Sequence, residues 1–265
     1  MIADISYTTL AASALLILIN GLLSVRWQLG IEKQLFISAA RMVVQLLLVG
    51  WILTTLFALV SPWLTLLVAL IMLGFAAWEV QARQKHRFVG HWRYSLGFLA
   101  MMLSASVVTL LALTAFLESD PWYHPRFAIP LLGMILGNTM TGVSLGMNTL
   151  TTTARREVRG IEAQLALGAT LNEAMRPVMR EALRTGLMPM INAMAATGVV
   201  SLPGMMTGQI LSGVAPVIAV KYQLLIMFLI TGATAIGVLL AVFAGVRRLG
   251  DERQRLRLDR LQAAE

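Results

Sequence analysis

Residues 217–246 read VIAVKYQLLIMFLITGATAIGVLLAVFAGV, and this run establishes the class of the protein. Lys221 is its only charged residue. A helix needs roughly 20 apolar residues to cross a bilayer core about 30 Å thick, so the run is long enough to span a membrane. Arg247 and Arg248 follow it directly, as is typical of a helix that ends at the cytoplasmic face.

The composition of the whole chain agrees with this interpretation. Hydrophobic residues make up 58% of the 265 residues, charged residues 13%, and the mean hydropathy is +0.77, which is too apolar for a soluble globular protein. We predict an all-α polytopic membrane protein with about seven transmembrane helices. The other predicted spans are 5–25, 36–60, 63–80, 94–117, 127–150 and 186–202.

The basic residues predict the orientation. With the N-terminus outside, all but Arg126 and Lys221 of the 21 basic residues fall on the inner side, as the positive-inside rule requires. Residues 1–4 are acidic rather than basic, so we expect the first span to be retained. We predict a permease domain over 1–248 in the inner (plasma) membrane and a basic cytoplasmic tail over 249–265. Residues 203–216 are predicted to be a partly embedded turn, because another crossing there would move the tail outside.

Several classes of function are excluded by the sequence. The net charge is +8 and the isoelectric point about 10.8, but the basic residues sit at the predicted membrane edges and do not form an aromatic-rich binding platform, so nucleic acid is not an expected partner. The chain has no cysteine and no nucleotide-binding or zinc-protease motif. It shows no nucleophile and base at catalytic spacing, so we expect neither enzymatic activity nor a cofactor bound by this chain.

The polar segment 151–185 interrupts the apolar runs and is predicted to be a structured cytoplasmic loop. At its centre, residues 161–170 read IEAQLALGAT. Their pattern predicts a short helix, a break at Gly168, and a second helix that Thr170 or Asn172 caps, with Glu173 in its first turn. An amphipathic helix lying flat at the membrane surface is the alternative.

Candidate transport residues lie in the predicted spans and in the turn. Polar residues repeat on one face of the fifth span, where they line a pathway or bond neighbouring helices. Arg41 and Gln45 share a face of the second span, although Arg41 is close enough to the inner edge to extend into water. The full set of pathway candidates is Arg41, Gln45, Glu79, Met134, Asn138, Thr141, Asn148, Met205 and Met206.

The sequence contains no closed metal site. Glu79 is a weak candidate ligand, but it stands four residues before Arg83, at the spacing of a helical ion pair. Glu118, Asp120 and His124 in an outer loop are weak candidates for holding a metal on the exit side, against the simpler reading of a solvated turn. The same helix that carries Asn138 has two G-x-x-x-G patterns, Gly133/Gly137 and Gly142/Gly146, which favour close helix packing.

Two resemblances give these features a function. Glu162-Ala163 followed by Gly168 resembles the coupling loop of ATP-binding-cassette permeases, although Gln164 stands where that pattern has a second alanine. The phrases R41MVVQ45, F75AAWE79, G133MILGN138, L165ALGAT170, V200SLPGMMTG208 and P216VIAVKYQ223 resemble the FetB/YbbM iron-export permease family, which is similar to plant aluminium-tolerance membrane subunits.

The resemblance implies an exporter with two permeases and two separate ATPases, which bind ATP and magnesium. The cargo would be iron or another metal, moved out of the cytoplasm. Contact with the ATPase would then involve Glu162, Ala163, Gly168, Ala169 and Thr170. The residues themselves do not identify iron, so two alternatives remain: an exporter of an organic or nucleotide-sugar compound, and a channel or scaffold that needs no ATPase.

Overall fold

A computed structural model describes residues 6–116 and 120–263. The described residues form helices joined by short turns, so the all-α prediction is confirmed. One pair of three-residue strands is the exception. The elements are α1 (Tyr7–Arg26), α2 (Glu32–Leu59), α3 (Pro62–Ala82), β1 (His86–Phe88), α4 (Trp92–Leu111), α5 (Pro125–Arg156), α6 (Val158–Ala166), α7 (Leu171–Ala174), α8 (Arg176–Ala196), α9 (Gly204–Leu211), α10 (Pro216–Leu249) and β2 (Leu261–Ala263).

Six helices in the described part of the chain are long and apolar enough to cross a membrane, namely α1, α2, α3, α4 with its π-helical continuation to Phe116, α5 and α10. The predicted seventh span, 186–202, falls largely within α8. That helix has enough length for a crossing, at 21 residues. Its first half carries four charged residues, Arg176, Arg180, Glu181 and Arg184. The count of seven therefore stays a prediction that depends on α8.

The described chain divides into two units, of which the first contains α1 and α2 together with residues 211–213. These two helices pack on each other where Gly21 lies against the ring of Phe36. Most of their large apolar side chains are exposed, including Leu46 and Trp51. Such surfaces are stable in lipid, which is as apolar as they are.

The second unit is a helix bundle whose centre is built on glycines of α5, α8 and α10. A Cβ atom placed on Gly142 would lie 2.8 Å from Thr234 Cγ2 and 2.9 Å from the carbonyl oxygen of Gly186. A Cβ on Gly186 would lie 2.7 Å from Val238 Cγ1. The missing side chains let the three backbones approach closely, which is how dispersion forces hold membrane helices together.

The order of these contacts gives the helix directions. Gly142 of α5 meets Gly186, and Gly146 meets Ala182, so α5 and α8 run antiparallel. Thr139 of α5 meets Gly237 of α10, whereas Leu150, further along, meets Gly245, so α5 and α10 run parallel. The ends of α5 and α10 and the start of α8 therefore lie together. The loop between α3 and α4 joins them, because the Lys85 N–H donates to Asn148 of α5, and we call this the basic end of the bundle.

The basic end collects all the arginines of the second unit except Arg126, from 83 to 93, from 155 to 184 and from 247 to 260. Arg126 and Lys221 stand at the starts of α5 and α10, at the opposite end. This distribution agrees with the predicted sorting of charge for the second unit. By the positive-inside rule the basic end faces the cytoplasm, which remains a prediction.

The structure moves two predicted boundaries. The loop predicted over 151–185 is shorter, because α5 continues to Arg156 and α8 begins at Arg176, leaving 157–175 between them. Residues 203–216, predicted as a turn, contain α9 between two non-helical stretches, where Gly198 (φ 92°) and Gly213 (φ 91°) take left-handed conformations. Whether this segment enters the membrane stays a prediction.

Candidate coupling site at the basic end

The predicted helix, glycine break and second helix are present at the basic end as α6, Gly168 and α7. Gly168 has a φ of 93°. Its N–H donates to the Leu165 carbonyl, and the Ala169 N–H donates to the Gln164 carbonyl, at 3.0 and 3.1 Å. This pair of bonds is a Schellman motif, which terminates a helix and favours glycine at the left-handed position. We call residues 158–174 the coupling turn.

Thr170 caps the second helix, as predicted. Its hydroxyl accepts a hydrogen bond from the Glu173 N–H at 3.3 Å, while the Thr170 N–H donates to Glu173 Oε2 at 2.8 Å. The hydroxyl also donates to Oε2 at 2.7 Å. These bonds hold the pKa of the Glu173 carboxyl below its ordinary value. Such a capping box satisfies donors that the first turn of a helix leaves unpaired.

We expect Thr170→Val to loosen the coupling turn without unfolding the protein. Losing an N-cap hydroxyl costs about 1 kcal/mol, so amide exchange of the Glu173 N–H should become roughly fivefold faster. Hydrogen exchange followed by mass spectrometry of peptides covering 167–176 measures this change. Thr170→Ser keeps the hydroxyl and serves as the control, and equal exchange in the valine and serine variants would contradict the assigned cap.

The outer face of the coupling turn is exposed and carries four of the five predicted contact residues. Glu162, Ala163, Gly168 and Thr170 are exposed, and Ala169 is half-buried. Leu167, between them, is 89% exposed, whereas Ile161 is buried and anchors α6 to the bundle. No atom lies within 4 Å of a Cβ built on Gly168. The space around Gly168 on this outer face is therefore open.

The described part of the predicted basic tail, residues 250–263, is folded and holds the coupling turn in place. Gln254 Oε1 accepts a hydrogen bond of 2.8 Å from the Leu171 N–H, at the start of α7. Arg260 donates to the carbonyls of Arg248 and Gly250, each at 2.8 Å, and so caps the end of α10. Arg257 donates two bonds to Asp259, which lower the pKa of that carboxyl to about 2. We call residues 250–263 the C-terminal strap.

The strap also joins the loop between α3 and α4. Its last residues pair antiparallel with β1, with Phe88 opposite Leu261, and Arg155 donates to the Leu261 carbonyl at 2.8 Å. Leu261 and Phe88 are both buried. Sequence reasoning missed the strap. Its signal was the apolar series Leu256, Leu258 and Leu261 among the arginines, which is atypical of a free tail.

The predicted polar face of α5 exists, but its members play different parts. Asn138 is exposed and donates to the Met134 carbonyl at 2.8 Å, and Thr141 donates to the Gly137 carbonyl at 3.0 Å. Asn148 instead accepts a 2.9 Å bond from the Lys85 N–H and so supports the α3–α4 loop. Of the other members, Asn138 is exposed, whereas Met134 and Thr141 are half-buried.

The remaining pathway candidates are dispersed. Arg41 is exposed and Gln45 half-buried, on α2 of the first unit. Met205 and Met206 are half-buried on α9, and Met205 packs against the core of the bundle. Glu79 forms the predicted ion pair with Arg83, at 3.2 Å. The structure thus confirms the pair, while the pathway roles stay predictions.

Among the described residues no three side chains of histidine, aspartate or glutamate come together as metal ligands. His124 Nδ1 accepts a hydrogen bond from the Arg126 N–H and caps α5, while Asp120 is exposed. Glu118, the other weak candidate of this loop, lies outside the described residues.

Comparison with known proteins places the arrangement in a family. The uncharacterised protein family UPF0014 matches residues 7–249. The chain belongs to the UPF0014 family. The UPF0014 match includes α1 to α10 and ends where the strap begins. No solved structure matches the chain.

Three UPF0014 relatives are similar over most of their length. The UPF0014 membrane protein slr1647 of Synechocystis is 38% identical over 87% of this chain and 89% of its own. The probable iron export permease protein FetB of Escherichia coli is 32% identical over 98% of each chain. The Arabidopsis thaliana protein ALUMINUM SENSITIVE 3 is 30% identical over 85% of this chain and 81% of its own. These matches confirm the resemblance drawn from the sequence motifs.

Proposed function

We propose that this UPF0014 protein is the membrane-spanning subunit of an ATP-binding-cassette exporter, with the coupling turn as the site that a separate ATPase grips. The observation that carries the proposal is the exposed α6–Gly168–α7 face at the basic end. ATP and magnesium would bind to the ATPase, and hydrolysis would take place there. Transport would then require the turn to move with the ATPase and to tilt the helices that follow it.

The contacts of the coupling turn support such a transmission. The turn is continuous with α5 on one side and α8 on the other, and those two helices pack through Gly142 and Gly186. Packing without intervening side chains leaves little slack, so a displacement at the turn is passed on to both helices. The exposed face of α5 around Asn138 is where a second copy of this chain would meet the first in the two-permease assembly.

We expect Gly168→Arg and Glu162→Arg to abolish association with the cognate ATPase. An arginine on the outer face occupies the space that a groove must close around, and Glu162→Arg also reverses a charge. The measurement is co-purification of the two subunits, together with the ATPase rate in the reconstituted complex. At least a tenfold loss in both is expected.

Gly90→Arg is the matched control. Gly90 also lies at the basic end, has a left-handed φ of 72°, and has no atom within 4 Å of a Cβ built on it. The two glycine variants therefore introduce the same strain and the same charge at different places. Equal ATPase binding by Gly168→Arg, Gly90→Arg and the unchanged protein would remove the coupling role.

The proposed cargo is iron or another metal, and the support for it is the similarity to the probable iron export permease FetB. ATP-driven uptake of labelled iron into inside-out vesicles tests it against labelled nucleotide-sugar. Accumulation of the sugar with iron at background would replace the metal by an organic cargo. Movement of either compound without the ATPase would favour a channel.

A further inference from the structure

We propose that the UPF0014 protein binds an anionic phospholipid of the inner leaflet in a cavity between the end of α10, the coupling turn and the C-terminal strap. The cavity measures about 960 Å³. The residues that would recognise the lipid are Phe243, Arg247 and Arg253, and the cavity also reaches Leu171 and Asn172 of the coupling turn. The arginines would bind the phosphate of the lipid, and Phe243 would contact its acyl chain.

The position of the cavity along α10 suits the boundary of a bilayer. The helix is uncharged from Tyr222 to Val246, and Arg247 is the first charged residue after that run. Phe243 stands one helical turn earlier on the same face and is 53% exposed. The cavity wall therefore changes from an aromatic ring at hydrocarbon depth to a guanidinium at the depth of the headgroups.

The charges of the cavity favour an anion. Four arginines line it, Arg247, Arg253, Arg255 and Arg260, against two carboxylates, Asp251 and Glu252. Asp251 is already bound by Arg255 at 2.7 Å. Arg260 is held by backbone carbonyls.

Arg247 and Arg253 are the two arginines left to bind a ligand. Within the described residues, neither side chain has a hydrogen bond or ion pair to a protein group. Guanidinium groups bind phosphate oxygens through paired N–H donors, so these two arginines are suited to a phosphodiester.

A bound lipid would touch three elements that the structure already joins. Gln254 lines the cavity and accepts the hydrogen bond from the Leu171 N–H. A headgroup seated beside this bond would hold the strap against the coupling turn. Lipid binding at this cavity does not depend on coupling to an ATPase.

Native mass spectrometry of the purified full chain tests the site with phosphatidylglycerol against phosphatidylcholine. We expect phosphatidylglycerol to be retained preferentially, and Arg247→Ala/Arg253→Ala to weaken its binding about 30-fold, since each basic residue near anionic lipid contributes about a factor of five. Arg247→Lys/Arg253→Lys keeps the charges and should recover most of the binding. Phe243→Ala should weaken the binding of the lipid but not of inorganic phosphate.

The matched control is Arg176→Ala/Arg180→Ala, which removes two exposed arginines of the basic end outside the cavity. Equal losses in the control and cavity variants would overturn the site, as would equal retention of the two lipids by the unchanged protein. Displacement of phosphatidylglycerol by millimolar inorganic phosphate would show a soluble anion, not a lipid, as the occupant. Variants are compared only when size exclusion shows a monodisperse protein. If Arg247→Ala/Arg253→Ala fails to fold, Arg247→Lys/Arg253→Lys is compared with the unchanged protein instead.

Discussion

Gly142→Leu is expected to prevent formation of the folded bundle. A Cβ alone would lie 2.9 Å from the Gly186 carbonyl oxygen, which belongs to a backbone and cannot rotate away. The leucine adds further atoms towards Thr234 and Val238, both of which are fully buried. Overpacking of a close-packed core costs about 1–3 kcal/mol and occasionally more. Because the contact at Gly142 is with a backbone atom that cannot move aside, we expect the destabilisation to be about 3 kcal/mol or more.

Thermal unfolding in detergent, followed by tryptophan fluorescence, measures the effect. Gly142→Ala should lower the midpoint by several degrees, since it introduces only the Cβ, and Gly142→Leu should yield no monodisperse protein. Gly137→Leu is the control on the same helix, because no atom lies within 4 Å of a Cβ built on Gly137. A folded Gly142→Leu protein with an unchanged midpoint would show that α5 and α8 do not pack as described.

Removal of residues 251–265 should release the coupling turn while leaving the transmembrane bundle folded. The deletion removes Leu256 and Leu258, which pack against the buried cluster that contains Leu171 and Leu249, and it removes the acceptor of the Leu171 N–H bond. Burying one large apolar side chain contributes about 1.5–3 kcal/mol, so a local loss of at least about 2 kcal/mol is expected. This corresponds to more than tenfold faster amide exchange over 158–175.

The strap deletion has a point variant and a control. Gln254→Leu removes only the bond to Leu171 and should accelerate exchange in 171–175 but not in the β1 segment. Glu252→Gln alters an exposed carboxylate of the same segment and should change neither. Exchange over 158–175 that stays at the rate of the unchanged protein after the deletion would contradict a holding role for the strap.

Local features of the coupling turn were predictable from sequence. The capping box at Thr170 and Glu173 and the helix end at Gly168 involve residues three to five apart, so their geometry follows from the backbone conformations that these side chains favour. The Glu79–Arg83 ion pair was predictable for the same reason. Apolar length predicted the six long spans, because crossing a bilayer requires that length whatever the neighbours are.

Packing partners were not predictable. Gly133/Gly137 and Gly142/Gly146 are the same pattern on one helix. Both glycines of the second pair lie against backbone atoms of α8, whereas neither glycine of the first pair contacts a backbone. Nothing local distinguishes them, because the difference lies in where α8 and α10 approach α5. Asn148 was assigned to a transport face by its helical spacing, although its carboxamide bonds the Lys85 N–H, 63 residues away.

Hydropathy and local pattern are enough to predict that this UPF0014 chain spans a membrane as helices, that all but one of the arginines of its second unit gather at one end of the bundle, and that an exposed turn centred on Gly168 interrupts the spans. That α5, α8 and α10 meet at Gly142 and Gly186, and that residues 250–263 pack over the turn, is visible only in the folded chain. The difference arises from distance along the chain. Hydropathy and capping act between neighbours in the chain, whereas the bond from Leu171 to Gln254 joins residues 83 positions apart and exists only once the helices have packed.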